Sequence, residues 1–226
     1  MVALRALKEF TQERAGSEAF KPPGIKTIHS EKQNLILCKK EKTNLENATL
    51  KMAQAFQQSG GHTLYFSSDL ENYIQNAAVY IVSGIERGEQ VLFVENDRRQ
   101  ALILEKVKQC LNSKQLQNLH FINNFDFYWQ HGDFHPTTVI SVFSNKLRSL
   151  TQNNQPIRTR GHVEWNDDKQ IHKKLEEFEQ VAGHAVSAAR MLSVCAYDAE
   201  RVPESLKAAL MRTHEFFMTD NEFIRL

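Results

Sequence analysis

The side chains best suited to chemistry stand at the ends of two short apolar runs. In Met191-Leu-Ser-Val-Cys-Ala-Tyr-Asp198 a thiol, a phenol and a carboxylate follow one another at Cys195, Tyr197 and Asp198. In Arg158-Thr-Arg-Gly-His-Val-Glu-Trp165 an imidazole, a carboxylate and an indole do the same at His162, Glu164 and Trp165. A neutral imidazole beside a carboxylate can move a proton or fix a ligand. Strand alternation puts His162 and Glu164 on one face and Val163 and Trp165 on the other. The plainer alternatives are a structural hydrogen-bonded pair and, for Trp165, core packing. Cys195 would be a nucleophile only if the fold brought His162 or His214 to its sulfur. Its neighbours Val194 and Ala196 are apolar, the setting of a structural or ligand-lining thiol. No catalytic residue is assigned.

Other patterns exclude more than they suggest. His120, His131 and His135 fall in different elements or a loop, without the i, i+4 spacing of a helical metal pair, so no metal site is expected. Tyr65-Phe-Ser-Ser-Asp69 joins a strand to a helix where a phosphate loop could lie. It has neither the glycines whose amides wrap a phosphate nor the lysine that neutralises it. Ser67-Ser-Asp69 reads as a helix cap instead. In the charged helix Asp167–Gln180, Leu175, Phe178 and Val181 form the buried stripe. Glu179 lies close enough to it to reach inward as a satisfied buried acid.

These groups need a scaffold, and the order of periodic segments supplies one. Strand signals at His62–Phe66, Gln90–Val94, Leu119–Ile122, through Trp165 and after Met191 alternate with helix signals. Those helices run from Leu70 to near Gly88, from Glu95-Asn-Asp97 to Leu111, from Pro136 to Leu150, from about Lys169 to Ala189 with a break near Gly183, and from Pro203 to Arg212. Alternation of this kind predicts an α/β fold, a mostly parallel sheet flanked by helices, with ligands outside the carboxyl ends of its strands. Residues 1–57 read as a helical extension and linker, with helices at Val2–Arg14 and Asn44–Gln58 and a Pro22-Pro-Gly24 turn between them. Residues 58–226 form the α/β domain.

The balance of 28 basic against 27 acidic side chains in 226 residues offers no electrostatic reason for direct nucleic-acid binding. No apolar run reaches the ~20 residues of a membrane helix, and the charged N-terminus lacks a signal-peptide core. Cysteines at 38, 110 and 195 are odd in number and widely spaced, so a disulfide framework is not expected and a cytoplasmic location is.

Seven fragments in order give residues ~60–226 a resemblance to the MEDS domain, the methanogen/methylotroph DcmR sensory domain. They are His62-x-Leu-Tyr-Phe66, Gly88-Glu-Gln-Val-Leu-Phe-Val94, Tyr128 with His131-Gly-Asp-Phe134, Arg158 with Gly161 and Trp165, Phe178-Glu179, Cys195-x-Tyr-Asp198, and His214. Where that family has Gly-Glu-Met-x-Trp, this chain has Gly161-His-Val-Glu-Trp165, its acid displaced by two positions. The resemblance implies a RecA/KaiC-like core without a phosphate loop. It also implies a ligand site near His62, Tyr128, Cys195, Tyr197 and His214.

The expected function is a non-catalytic, small-molecule-responsive sensory domain in cytoplasmic signal transduction or transcriptional regulation. Its ligand would be an unidentified small molecule such as a hydrocarbon derivative, and its cofactors are unassigned. Its output would pass through a regulatory partner or a homo-oligomer. The alternatives are a degenerate nucleotide-binding ATPase-like enzyme and a protein-interaction module with a vestigial pocket. The ligand candidates are His62, Tyr128, His162, Glu164, Trp165, Cys195, Tyr197, Asp198 and His214.

Overall fold

The computed structural model describes Lys51 and residues 60–130, 132, 134–151, 155–166 and 170–226. The helices expected within residues 1–57 lie outside the described residues, except for the helical Lys51. The strands are β1 (Gly61–Ser67), β2 (Gln90–Glu95), β3 (Leu119–Asn123), β4 (Ile157–His162), β5 (Leu192–Asp198), β6 (Phe216–Met218) and β7 (Phe223–Arg225). The helices are α1 (Leu70–Glu86), α2 (Asp97–Lys108), α3 (Asn124–Tyr128), α4 (Pro136–Leu150), α5 (Ile171–Ala189) and α6 (Glu204–Thr213). One sheet takes them in the order β3-β2-β4-β5-β1-β6-β7. All neighbours are parallel except β6 and β7.

The α/β architecture with a mostly parallel sheet is therefore as the alternation predicts. β6 and β7 were not expected, because three-residue strands are shorter than the runs from which periodicity can be read. Cys195 is a free, buried thiol. No helix among the described residues is long and apolar enough to cross a membrane.

Burial on both faces explains the continuous apolar strands. Leu64, Leu92, Val94, Cys195 and Tyr197 point to one face, under α3 to α6. Tyr65, Val91, Phe93, Val194 and Ala196 point to the other, under α1 and α2. Asp69 caps α1 by accepting from the Asn72 amide at 2.8 Å, and Asn96 caps α2 through the Arg99 amide at 2.9 Å. Leu70, the first residue of α1, is exposed.

β4 carries charge into the core. The Arg158 guanidinium pairs with Glu89 and donates to the Tyr80 carbonyl at 3.1 Å and to Ser83 Oγ at 3.0 Å. Arg160, two residues on, is buried between the rings of Tyr65 and Tyr73, each 4.9 Å from its guanidinium carbon. Its three guanidinium nitrogens have no hydrogen-bond partner, so the aromatic faces provide its compensation.

α5 runs unbroken through Gly183. The glycine is not a break but a clearance: a Cβ there would lie 3.0 Å from His62 Nδ1 and 3.2 Å from the Thr213 carbonyl. Gly60, at the entry to β1, has φ +67°, and a Cβ would stand 2.6 Å from the Arg190 carbonyl carbon. Gly60→Ala therefore combines left-handed strain with a backbone clash. It should cost about 2–3 kcal/mol in urea unfolding, at the upper end of ordinary single-substitution effects.

Candidate functional site

A cleft of about 170 Å³ opens beyond the carboxyl ends of β1, β4 and β5, where ligands bind in open α/β sheets. Ser68 and Asp69 of the β1–α1 turn, Tyr73 of α1, Arg99 of α2, His162 of β4 and Tyr197 of β5 form much of its lining.

Polar side chains of the cleft continue into a buried network. His162 Nδ1 lies 3.2 Å from both Glu95 Oε1 and Glu164 Oε1, while Arg99 Nη1 lies 2.7 Å from His162 Nε2. An arginine can only donate, so in the neutral ring Nε2 is the acceptor there and the Nδ1–H serves the carboxylates. Glu95 is fully buried and also accepts from the Tyr73 hydroxyl and from the Asn96 amide at 2.9 Å. Burial pulls the His162 pKa down, but hydrogen bonding to Glu164 and Glu95 outweighs it and holds the pKa above its ordinary value. The His162 hydrogen bond, against a smaller opposing effect of burial, lowers Glu164 to about 2.

The β1–α1 turn is already occupied. Asp220, in the turn between β6 and β7, accepts through Oδ2 from the Ser68 amide (3.0 Å), Ser68 Oγ (2.9 Å) and the Asp69 amide (3.1 Å). Its Oδ1 accepts from the Tyr65 hydroxyl at 2.5 Å. Amides at the start of α1 that could serve an anion are thus given to a carboxylate of the same chain.

A second polar centre lies on the opposite face of the sheet, beneath α5. Glu179, midway along α5, is fully buried between His62 of β1, His214 just after α6, and Cys195 and Tyr197 of β5. The Tyr197 hydroxyl donates to Glu179 Oε1. His62 Nε2 stands 3.3 Å from Glu179 Oε2 and 3.3 Å from Cys195 Sγ, and His214 Nε2 stands 3.6 Å from Glu179 Oε2. The two imidazoles stack with centroids 3.9 Å apart. Burial would raise the Glu179 pKa, but the hydrogen bond with His62 and the neighbouring imidazoles keep it low. Burial, followed by the Glu179 charge, pushes the Cys195 thiol well up. Burial and the adjacent His62 take His214 down to about 3.

The structure thus divides the sequence candidates between two places. His162, Tyr197 and Asp198 line the cleft, with half-exposed Glu164 beside His162. Trp165 is buried, its ring 5.5 Å from that of Tyr197 and 4.6 Å from the Arg201 guanidinium carbon. His62, Cys195 and His214 meet around Glu179. Tyr128 is buried alongside, stacked on Phe134 and edge-on to Phe178. Tyr197 belongs to both groups. Sequence reasoning missed Tyr73, Arg99 and Asp220, which carry no motif. Glu179 was legible as an acid close to an apolar stripe and as part of the Phe178-Glu179 family fragment.

Two outcomes test this geometry. Asp220→Ala leaves the Tyr65 and Ser68 hydroxyls and two amides without their acceptor and should cost about 2–3 kcal/mol in urea unfolding. The His162–Glu164 pair makes a pH window. The raised His162 pKa stabilises the fold below the ordinary histidine value of about 6.5, and that contribution is lost as pH rises through the folded pKa. The lowered Glu164 pKa stabilises it above about 4.3, and that contribution is lost as pH falls toward 2. The stability deficit of Glu164→Gln should therefore be largest between about pH 4.3 and 6.5, and the variant's His162 should titrate lower by NMR.

The family model of the MEDS domain, the MEthanogen/methylotroph, DcmR Sensory domain, matches residues 61–215. No curated protein matches the chain significantly. The matched span runs from β1 to just past His214, so it includes the buried centre and the residues lining the cleft, while Asp220 lies beyond it. With the match covering more than half of its length, the chain belongs to the MEDS sensory-domain family.

Proposed function

We propose that this chain is a non-catalytic sensor of a small polar molecule, a hydrocarbon derivative, held in the cleft beyond β1, β4 and β5. It would act in cytoplasmic signal transduction or transcriptional regulation, through a partner protein or self-association. One observation carries the reading: Tyr197 at the end of β5 borders the cleft while its hydroxyl is bonded to Glu179 of α5. A molecule that shifts Tyr197 therefore acts on the α5–α6 layer. It changes the population of conformers by the difference in its affinity for them. Arg99 and His162 are the polar groups we assign to orienting the ligand, and the Trp165 ring packs against that of Tyr197.

We further infer descent from a RecA/KaiC-like core that has lost its phosphate loop. The β1–α1 turn has no glycine, and its amides are bonded to Asp220. That carboxylate would repel a nucleotide phosphate, which weighs against the ATPase alternative.

Native mass spectrometry of the gently purified full chain tests the reading. The expected result is a retained non-nucleotide small molecule that Arg99→Ala loses while staying folded. Hydrogen exchange in α5 should slow when the molecule is present. Tyr197→Phe should retain the molecule and lose that slowing. Retained ATP or ADP, or a molecule held equally by Arg99→Ala, contradicts the proposal.

A further inference from the structure

The centre beneath α5 contains more electron-pair donors than protons can satisfy. His62 Nδ1 lies 3.2 Å from the Thr213 carbonyl and His214 Nδ1 lies 2.7 Å from the Leu210 carbonyl. A carbonyl only accepts, so each Nδ1 carries the hydrogen. In the neutral rings both Nε2 lone pairs then point at Glu179. His214 Nε2 is buried with no hydrogen-bond partner, and Glu179 Oε2 is approached only by the two imidazoles, His62 Nε2 at 3.3 Å and His214 Nε2 at 3.6 Å. A second proton on His62 would satisfy Glu179 but leave His214 Nε2 facing the same oxygen unpaired. Protonating both rings would stack two cations 3.9 Å apart.

A single metal ion satisfies all of these groups at once. The four donor atoms, one each from His62, Glu179, Cys195 and His214, lie within 4.8 Å of one another. Tetrahedral zinc, with bonds of about 2.0–2.3 Å, sets its donors roughly 3.3–3.7 Å apart. Here His62 to Cys195 is 3.3 Å, His62 to Glu179 is 3.3 Å and His214 to Glu179 is 3.6 Å. The surroundings have the form of an outer shell. Backbone carbonyls orient both imidazoles, as ring N–H partners do in metal sites. The Tyr197 hydroxyl holds the far oxygen of Glu179. Gly183 leaves room for the His62 ring.

We propose that His62, Glu179, Cys195 and His214 bind one divalent transition-metal ion, zinc being the best match to a mixed nitrogen, oxygen and sulfur donor set. On binding, the Cys195 sulfur forms a bond to the metal and its proton leaves to solvent. Four protein donors close the coordination sphere, so the ion is held rather than offered to a substrate. It ties β1, β5, α5 and the end of α6 together beneath the cleft, independently of what the cleft binds.

The test is equilibrium dialysis of the tag-free, chelator-stripped full chain against Zn²⁺, with bound metal counted, and parallel loading with Co²⁺. We expect one zinc per chain and a thiolate-to-cobalt absorption in the near ultraviolet. Cys195→Ser should remove that absorption. His214→Ala should weaken zinc binding by at least tenfold, and Tyr197→Phe by about 10–100-fold, as for outer-shell substitutions. The wild-type stoichiometry and spectrum do not depend on any variant folding. Failure of the wild-type chain to retain zinc, or a near-ultraviolet absorption that persists in Cys195→Ser, overturns the proposal.

Discussion

A buried carboxylate is the constraint on which the rest of this domain turns. Glu179 lies in the middle of α5, facing the sheet, where an uncompensated charge would cost several kcal/mol. Its compensation comes from three other parts of the chain: His62 of β1, Tyr197 and Cys195 of β5, and His214 at the end of α6. The backbone accommodates these groups in turn. Gly183 gives way to the His62 ring, and the closing carbonyls of α6 hold the two imidazoles. A buried ionic group of this kind seldom adds net stability over an apolar replacement, so its presence is better explained by what it binds than by what it holds up.

The sheet carries a second buried carboxylate on its other face. Glu95 is fully buried and takes a tyrosine hydroxyl, from Tyr73, just as Glu179 takes one from Tyr197. The cleft lies between these arrangements, bordered by Tyr73 and His162 on one side and by Tyr197 on the other. Its remaining wall, the β1–α1 turn, is stitched to the final hairpin by Asp220. The amides at the start of α1 are thus held by an internal clasp.

The fold was largely legible because both-face burial makes long apolar strands and the helices between them have marked stripes and caps. What escaped was short or carried no local pattern. β6 and β7 are three residues each, and the missed Asp220 lies between them. The strand-end rule led to His162, Tyr197 and Asp198, which do line the cleft. It also placed Cys195 at a strand end, although this residue lies mid-strand and faces α5. Arg99 stands in an ordinary charged first turn, and nothing in its spacing sets it apart. The group around Glu179 draws on four elements separated by long stretches of chain. No spacing motif can encode that, and His62, Cys195 and His214 were reached together only through the family resemblance.

The donors around Glu179 form one centre built for a cation. Anomalous diffraction at the zinc edge, from crystals of the zinc-loaded full chain, tests this most directly. A single peak is expected within bonding distance of His62 Nε2, His214 Nε2, Cys195 Sγ and a Glu179 oxygen, at about 2.0–2.3 Å. Zinc found only elsewhere, with His62 paired to Glu179 and the space between the four donors empty or filled by water, would contradict it.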